Sequence, residues 1–267
     1  MLRTNGASGM ETEERTLAHL FSSVGVVDTV KLKRWLGKEK STTDALVALK
    51  LNKGVDHALA HSDLKVLSKY VDMLNNKHED GYVSLLGTLT AHYGDEAVAK
   101  ALVSAKGADG TRDIATALQK QQLDAWLYNG KDADDVFGIL GIGAEGSRSM
   151  NSRKLVVLDE YINLFNARYP GAATDSFIVL RDGFGGEADF ARVLSMAKLH
   201  PESKRMIANT SKYQGELFRK WMDEDKLEPK GVLSTVLEGG SFGTASSEDK
   251  LVINHYNVFY KRRMREQ

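Results

Sequence analysis

Cysteine is missing from all 267 residues. Its absence excludes a disulfide framework and any thiolate metal site, and a zero count is commonest in proteins that work in a reducing compartment. Proline is nearly missing, at three residues. Proline removes a backbone donor and clashes with the preceding turn, so its scarcity leaves helices uninterrupted. No apolar run approaches the roughly 20 residues needed to span a bilayer. The start, Met1-Leu2-Arg3-Thr4-Asn5-Gly6, has no signal-peptide stretch. The chain is therefore expected to be cytosolic, or a form whose leader has been removed. An excess of either charge is missing too, since 36 Lys and Arg balance 36 Asp and Glu. No net field draws such a chain to nucleic acid or to an anionic membrane, and neither is expected as a partner.

Apolar residues make up 42% of the chain, enough for a packed core throughout. They follow an internal repeat. Trp35, Trp126 and Trp221 are separated by 91 and 95 residues. They sit in related stretches: KLKRWLGKEKSTTDALVALKL, QLDAWLYNGKDADDVFGILGI and LFRKWMDEDKLEPKGVLSTVL. An apolar residue stands three positions before each tryptophan (Leu32, Leu123, Phe218), a lysine five after (Lys40, Lys131, Lys226), and an apolar residue eleven after (Leu46, Phe137, Val232). Tyr70, Tyr161 and Tyr256 each follow their tryptophan by 35 residues. Leu67, Leu158 and Ile253 precede these tyrosines by three, and Leu74, Phe165 and Tyr260 follow by four, which places each trio on one helix face. AHYGDEAVAKALVSAK (91–106) parallels DGFGGEADFARVLSMAK (182–198): an aromatic, a glycine, an acid suited to a helix start, then a helical apolar period.

Each copy reads as a helix carrying Trp, a polar turn, a helix, a glycine-containing loop, a helix carrying Tyr, and a further helix. Such helices bury their apolar stripes only by packing together, so the expected fold is all-α, a tandem array of helical bundles. Tryptophan and tyrosine at fixed positions are expected to fill the core of each bundle rather than to contact a ligand. The junctions contain breaks of only six to eight residues (KGADGTRD and LHPESK), which predicts rigid joints and an elongated particle.

The Trp–Tyr unit repeated in tandem resembles the WY and LWY modules of oomycete RXLR effectors. Leu2 and Arg3 match the end of the RXLR motif, and Glu13-Glu14-Arg15 matches the EER motif that follows it. The first Arg of RXLR is absent, so the chain is expected to begin inside the motif. The resemblance covers essentially the whole chain. It implies a leader remnant at 1–15, expected to be disordered, a WY unit at 16–106, an LWY unit at 107–198 and a shortened LWY unit at 199–267. A short pre-tryptophan segment (Leu17, Leu20, Phe21) suits a plain WY start. The L element implied before the later tryptophans corresponds to Ile114, Leu118 and Leu123, then to Met206, Ile207, Tyr213 and Leu217. Ile114, Leu118, Met206, Ile207 and Tyr213 carry more apolar surface than their own unit needs, and are expected to pack on the preceding unit. The family resemblance also implies secretion and work in the host cytoplasm. It implies binding of a host protein to suppress immunity, with the scaffold subunit of the host type 2A serine/threonine phosphatase as the named candidate. No enzyme activity and no cofactor are expected, and the chain alone is expected to be a monomer. The rival expectation is an enzyme or small-molecule protein built on the bundle, which requires a deep pocket or a buried polar cluster.

Chemistry-bearing motifs are few. Gly141 to Gly146 reads GxGxxG, but DADDVFGIL before it is an amphipathic helix and not the strand that a dinucleotide site requires. His57 and His61 share a helix face at i, i+4 without the glutamate of HExxH or an evident third ligand, which favours a surface pair over a metal site. Asp134 and Asp135 lie at an expected helix start, where capping accounts for them. Glu79-Asp80-Gly81-Tyr82-Val83-Ser84-Leu85 has the pattern of a peptide that docks on ubiquitin-like modifiers, or else Tyr82 and Leu85 are helix core. Lys261-Arg262-Arg263-Met264-Arg265 reads either as a nuclear-import signal or as cations complementing a helix C-terminus.

Overall fold

The computed structural model of the chain describes residues 26–78 and 81–266. The leader at 1–15, with Leu2, Arg3, Glu13, Glu14 and Arg15, lies outside the described residues, as do Leu17, Leu20, Phe21, Glu79 and Asp80. Among the described residues every regular element is helical and no strand is present, so the fold is all-α.

The helices gather into two compact units that divide between Lys131 and Asp132. The first contains α1 (Val26–Gly37), α2 (Thr42–Ala48), α3 (Val55–Ala60), α4 (Leu64–Lys77), α5 (Leu85–Tyr93), α6 (Asp95–Ala105) and α7 (Arg112–Tyr128). The second contains α8 (Ala133–Leu140), a 3-10 segment (Gly143–Asn151), α9 (Lys154–Arg168), a 3-10 turn (Pro170–Ala172), α10 (Ser176–Gly183) and α11 (Glu187–Leu199). It continues with α12 (Lys204–Arg219), a π-helical turn (Lys220–Glu224), α13 (Pro229–Thr235) and α14 (Ser247–Glu266).

Compact unit and sequence repeat are offset by one helix. By sequence α7 opens the second repeat, yet it packs on α5 and α6. Its Ile114, Ala115 and Leu118 belong to the same apolar cluster as Leu85, Leu89 and Leu102. Within the second unit α12 packs on α11 in the same manner. The cause is the stripe on each pre-tryptophan helix, which extends beyond what its own repeat can cover.

Side-chain caps set the helix starts. Ser41 accepts from the Asp44 N–H, Ser84 from Gly87, Asp175 from Ile178 and Ser203 from Met206. Asp132 and Asp135 form a capping box at the start of α8, each side chain bonded to the other's backbone. This accounts for the acidic run there.

The turn after each tryptophan is the same device with one variation. Glu39 and Gly130, each four residues after its tryptophan, are left-handed with φ of 52° and 70°. The next N–H closes the turn onto the tryptophan carbonyl, Lys40 to Trp35 at 3.2 Å and Lys131 to Trp126 at 3.0 Å. In the third repeat the left-handed residue is Lys226 (φ 55°), five after Trp221, and Leu227 donates to the Trp221 carbonyl at 2.7 Å. The π turn at Lys220–Glu224 absorbs the extra residue. Lys226 is therefore the structural counterpart of Glu39 and Gly130, and Leu227 that of Lys40 and Lys131. The lysine recurring five residues after each tryptophan is equivalent in sequence count but not in structure.

Candidate functional site: the repeat cores and junctions

Trp35 is 9% exposed, Trp126 3% and Trp221 0%, and Tyr70, Tyr161 and Tyr256 are fully buried. In the first unit Trp35 meets Tyr70 edge-on, with centroids 5.8 Å apart and planes at 88°. In the second, Trp221 meets Tyr256 at 5.4 Å and 86°. The division between compact units falls between Trp126 and Tyr161. Each buried phenol has its hydroxyl satisfied where a partner is described. Tyr70 donates to the Lys40 carbonyl, and Tyr256 to the Leu227 carbonyl at 2.6 Å. Each bond pins the turn that follows the tryptophan. Burial pushes the Tyr161 phenol up to about 12, with Tyr169, Asp132 and Asp135 adding to it. The Tyr256 phenol is raised by burial first and then by Tyr260, Asp223 and Asp225.

The junction side of Trp126 is polar, and the arrangement recurs at Trp221. Gly94 and Gly186, with φ of 86° and 102°, turn the chain into α6 and α11. The acid just after each glycine reaches the next repeat's tryptophan. Asp95 accepts the Trp126 indole N–H at 2.7 Å and the Gln122 amide at 2.8 Å. Glu187 accepts the Trp221 indole N–H at 2.7 Å and pairs with Lys220 at 2.9 Å. At the far end of the same helices Lys106 donates to Gln119 at 2.6 Å and Lys198 donates to Gln214 at 2.8 Å. Both glutamines stand seven residues before a tryptophan. The acid after the glycine is readable in the sequence as a helix-start charge; its bond to a tryptophan more than thirty residues away is not. A further recurrence follows each of the first two tyrosines. Asn75 brackets Val83 with bonds of 2.7 and 3.0 Å, and Asn166 brackets Thr174 at the same distances.

Of the expected junction residues, Ile114 is 9% exposed, Leu118 0%, and Met206 and Tyr213 2% each. Tyr213 packs against Phe190 of α11, with ring centroids 6.2 Å apart. Ile207 is a correction: it is 52% exposed. Met206, Thr210, Tyr213 and Leu217 share the buried stripe of α12, and Ile207 lies about 100° around the helix from Met206, off that stripe.

The remaining motifs hold no assembled chemistry. Gly141 is the left-handed C-cap of α8, and a 3-10 segment follows instead of a phosphate loop. The His61 Nδ1 accepts from the Asp63 N–H at 3.1 Å, and its ring centroid is 5.0 Å from that of His57. Among the described residues no group of three or more His, Cys, Asp or Glu side chains could hold a metal. Tyr82 is exposed, but Leu85 is buried in α5 and Asn75 holds Val83, so the peptide 81–85 is not presented for docking. The basic run at 261–265 occupies the last turns of α14.

No protein-family profile matches the chain. It is similar to two RxLR effector proteins of Phytophthora infestans (strain T30-4). One is 35% identical over 236 residues, covering 87% of this chain and 33% of the relative. The other is 35% identical over 207 residues, covering 77% and 39%. The relatives it matches over most of its length are RxLR effectors. The chain is also similar to RxLR effector protein PSR2 of Phytophthora sojae, 28% identical over 219 residues, or 82% of this chain and 32% of PSR2. It spans about a third of the length of these curated relatives. The crystal structure of PcRxLR12 shares this chain's fold, with a TM-score of 0.67 at 23% identity over 89% of this chain and 56% of that one. Among the described residues no helix is long and apolar enough to cross a membrane.

Proposed function

We propose that this effector is secreted, enters the host cell, and acts there by binding a host protein to suppress immunity, without chemistry of its own. The observation that carries this reading is the junction built twice: Asp95 to Trp126, and Glu187 to Trp221. A glycine-acid helix start that holds the next repeat's tryptophan sets a fixed angle between successive helices. A partner that grips adjoining repeats then loses less ordering entropy on binding. The finer proposal is that the second and third repeats capture the scaffold subunit of the host type 2A serine/threonine phosphatase in place of a regulatory subunit. Titration calorimetry with the purified scaffold subunit tests it. The expected result is a one-to-one complex that a regulatory subunit displaces. No heat at micromolar concentrations would exclude the phosphatase, and affinity purification from host tissue would then identify the actual partner.

A further inference from the structure

One tie present at the second junction is missing from the first. In the second compact unit, the end of the 3-10 segment is tied to the start of α12. Asn209 donates to the Met150 carbonyl at 2.9 Å, Arg205 to the Asn151 carbonyl at 3.4 Å, and Ser203 to the Asn151 side-chain oxygen at 2.5 Å. Counting back from each tyrosine, Met150 and Asn151 correspond to Leu59 and Ala60; counting back from each tryptophan, Arg205 and Asn209 correspond to Gly110 and Ile114. In the first compact unit these four residues are not tied together. They line an open cleft of about 320 Å³.

The cleft has a definite chemistry. Its floor is Leu59, Leu64 and Ile114, all buried. The stretch leading into α7 contributes Asp109 and Asp113 to its lining, and the stretch leading into α4 contributes His61 and Lys65. Asp109 is paired with Arg112 at 2.6 Å, whereas the Asp113 carboxylate has no hydrogen bond or ion pair among the described residues. A side chain grown from Gly110 would meet nothing within 4 Å. The second junction therefore supplies its own guanidinium at the position that the first leaves open.

We propose that this cleft is a docking site for an arginine side chain carried by a peptide segment of a partner protein. The methylene stem lies on the leucine and isoleucine floor, as long cationic side chains do on apolar surface. The guanidinium donates to the Asp113 carboxylate and to the backbone carbonyls at the end of α3, the acceptors that correspond to those Arg205 and Asn209 use. The site stands apart from the phosphatase proposal and does not depend on it.

Amide NMR of the full chain, titrated with N-acetyl-arginine methylamide, tests the proposal. Saturable shifts are expected at 59–65 and 109–114. The uncharged citrulline analogue, and the parent compound on Asp113→Asn, should bind about fivefold more weakly, the scale of one exposed charge-assisted contact. Gly110→Arg should abolish the shifts while Gly110→Ala retains them, which separates occupancy from misfolding. Equal binding of the citrulline analogue, unchanged binding to Gly110→Arg, or a response only to free arginine with its own charged termini would each overturn the assignment.

Discussion

The indole N–H of Trp221 lies 2.7 Å from the Glu187 carboxylate, and that of Trp126 lies 2.7 Å from Asp95. In both cases the acid belongs to the last helix of the preceding repeat. The bond satisfies a buried donor and fixes the register of the two helices in one contact. A charge-assisted hydrogen bond contributes about 1.5–3 kcal/mol. In a double-mutant cycle by urea denaturation, Trp221→Phe and Glu187→Gln should show a coupling of about 1–2 kcal/mol. Additive single changes would remove the junction role given to this pair.

Truncating a core aromatic should cost more than losing that bond. Trp221→Ala removes the edge-on contact with Tyr256 and leaves a cavity, for an expected loss of about 3–5 kcal/mol. Tyr256→Phe removes only the hydroxyl bonded to the Leu227 carbonyl, so a loss of about 1–2 kcal/mol is expected. Chemical denaturation of the two variants should therefore rank them clearly; equal losses would contradict the geometry.

The turn after the tryptophan offers a stabilising change. Glu39 is left-handed where the second repeat has Gly130. A residue with a Cβ is strained there by about 1–2 kcal/mol, partly offset by the entropy that glycine loses on folding. Glu39→Gly should raise stability by about 0.5–1 kcal/mol, because its 3.5 Å pair with Lys77 is exposed and weak. Gly130→Ala should lower stability by a similar amount. Thermal melts that moved in the opposite directions would refute the account.

Acid should loosen the second compact unit. Burial holds the His255 imidazole below its ordinary value of 6.5, and the nearby Lys198 lowers it further. With the folded value depressed, the unfolded chain takes up the proton first, and stability falls as pH drops below about 6.5. The melting temperature should decline between pH 7 and pH 5, and His255→Gln should flatten that decline. An unchanged slope in the variant would rule out His255 as its source.

The recurring tryptophans and tyrosines were legible because burial of large aromatics is a local demand repeated at fixed spacing. Leu67 and Tyr70, or Ile253 and Tyr256, announce a buried helix face without reference to any other part of the chain. Ile207 is apolar yet 52% exposed for a related reason. Apolar content suggests a contact, but the angle around α12 decides whether the contact is made, and adjacent positions differ by about 100°. The lysine recurring five residues after each tryptophan holds in count but not in structure, because a single inserted residue is absorbed as a π turn at Trp221 rather than by a shift in the sequence pattern.

The sequence by itself determined the all-α class, the repeat and its core aromatics, since periodicity and spacing encode which face is buried. Only the tertiary structure decided what joins the repeats. Asp95 and Trp126, Lys106 and Gln119, and the open cleft beside Gly110 depend on residues that come together when α7 folds back onto α6. A hydrogen bond acts over about 3 Å, whatever the distance along the chain. A helix start rich in acid looks the same in sequence whether its carboxylate faces water or a tryptophan from the next repeat.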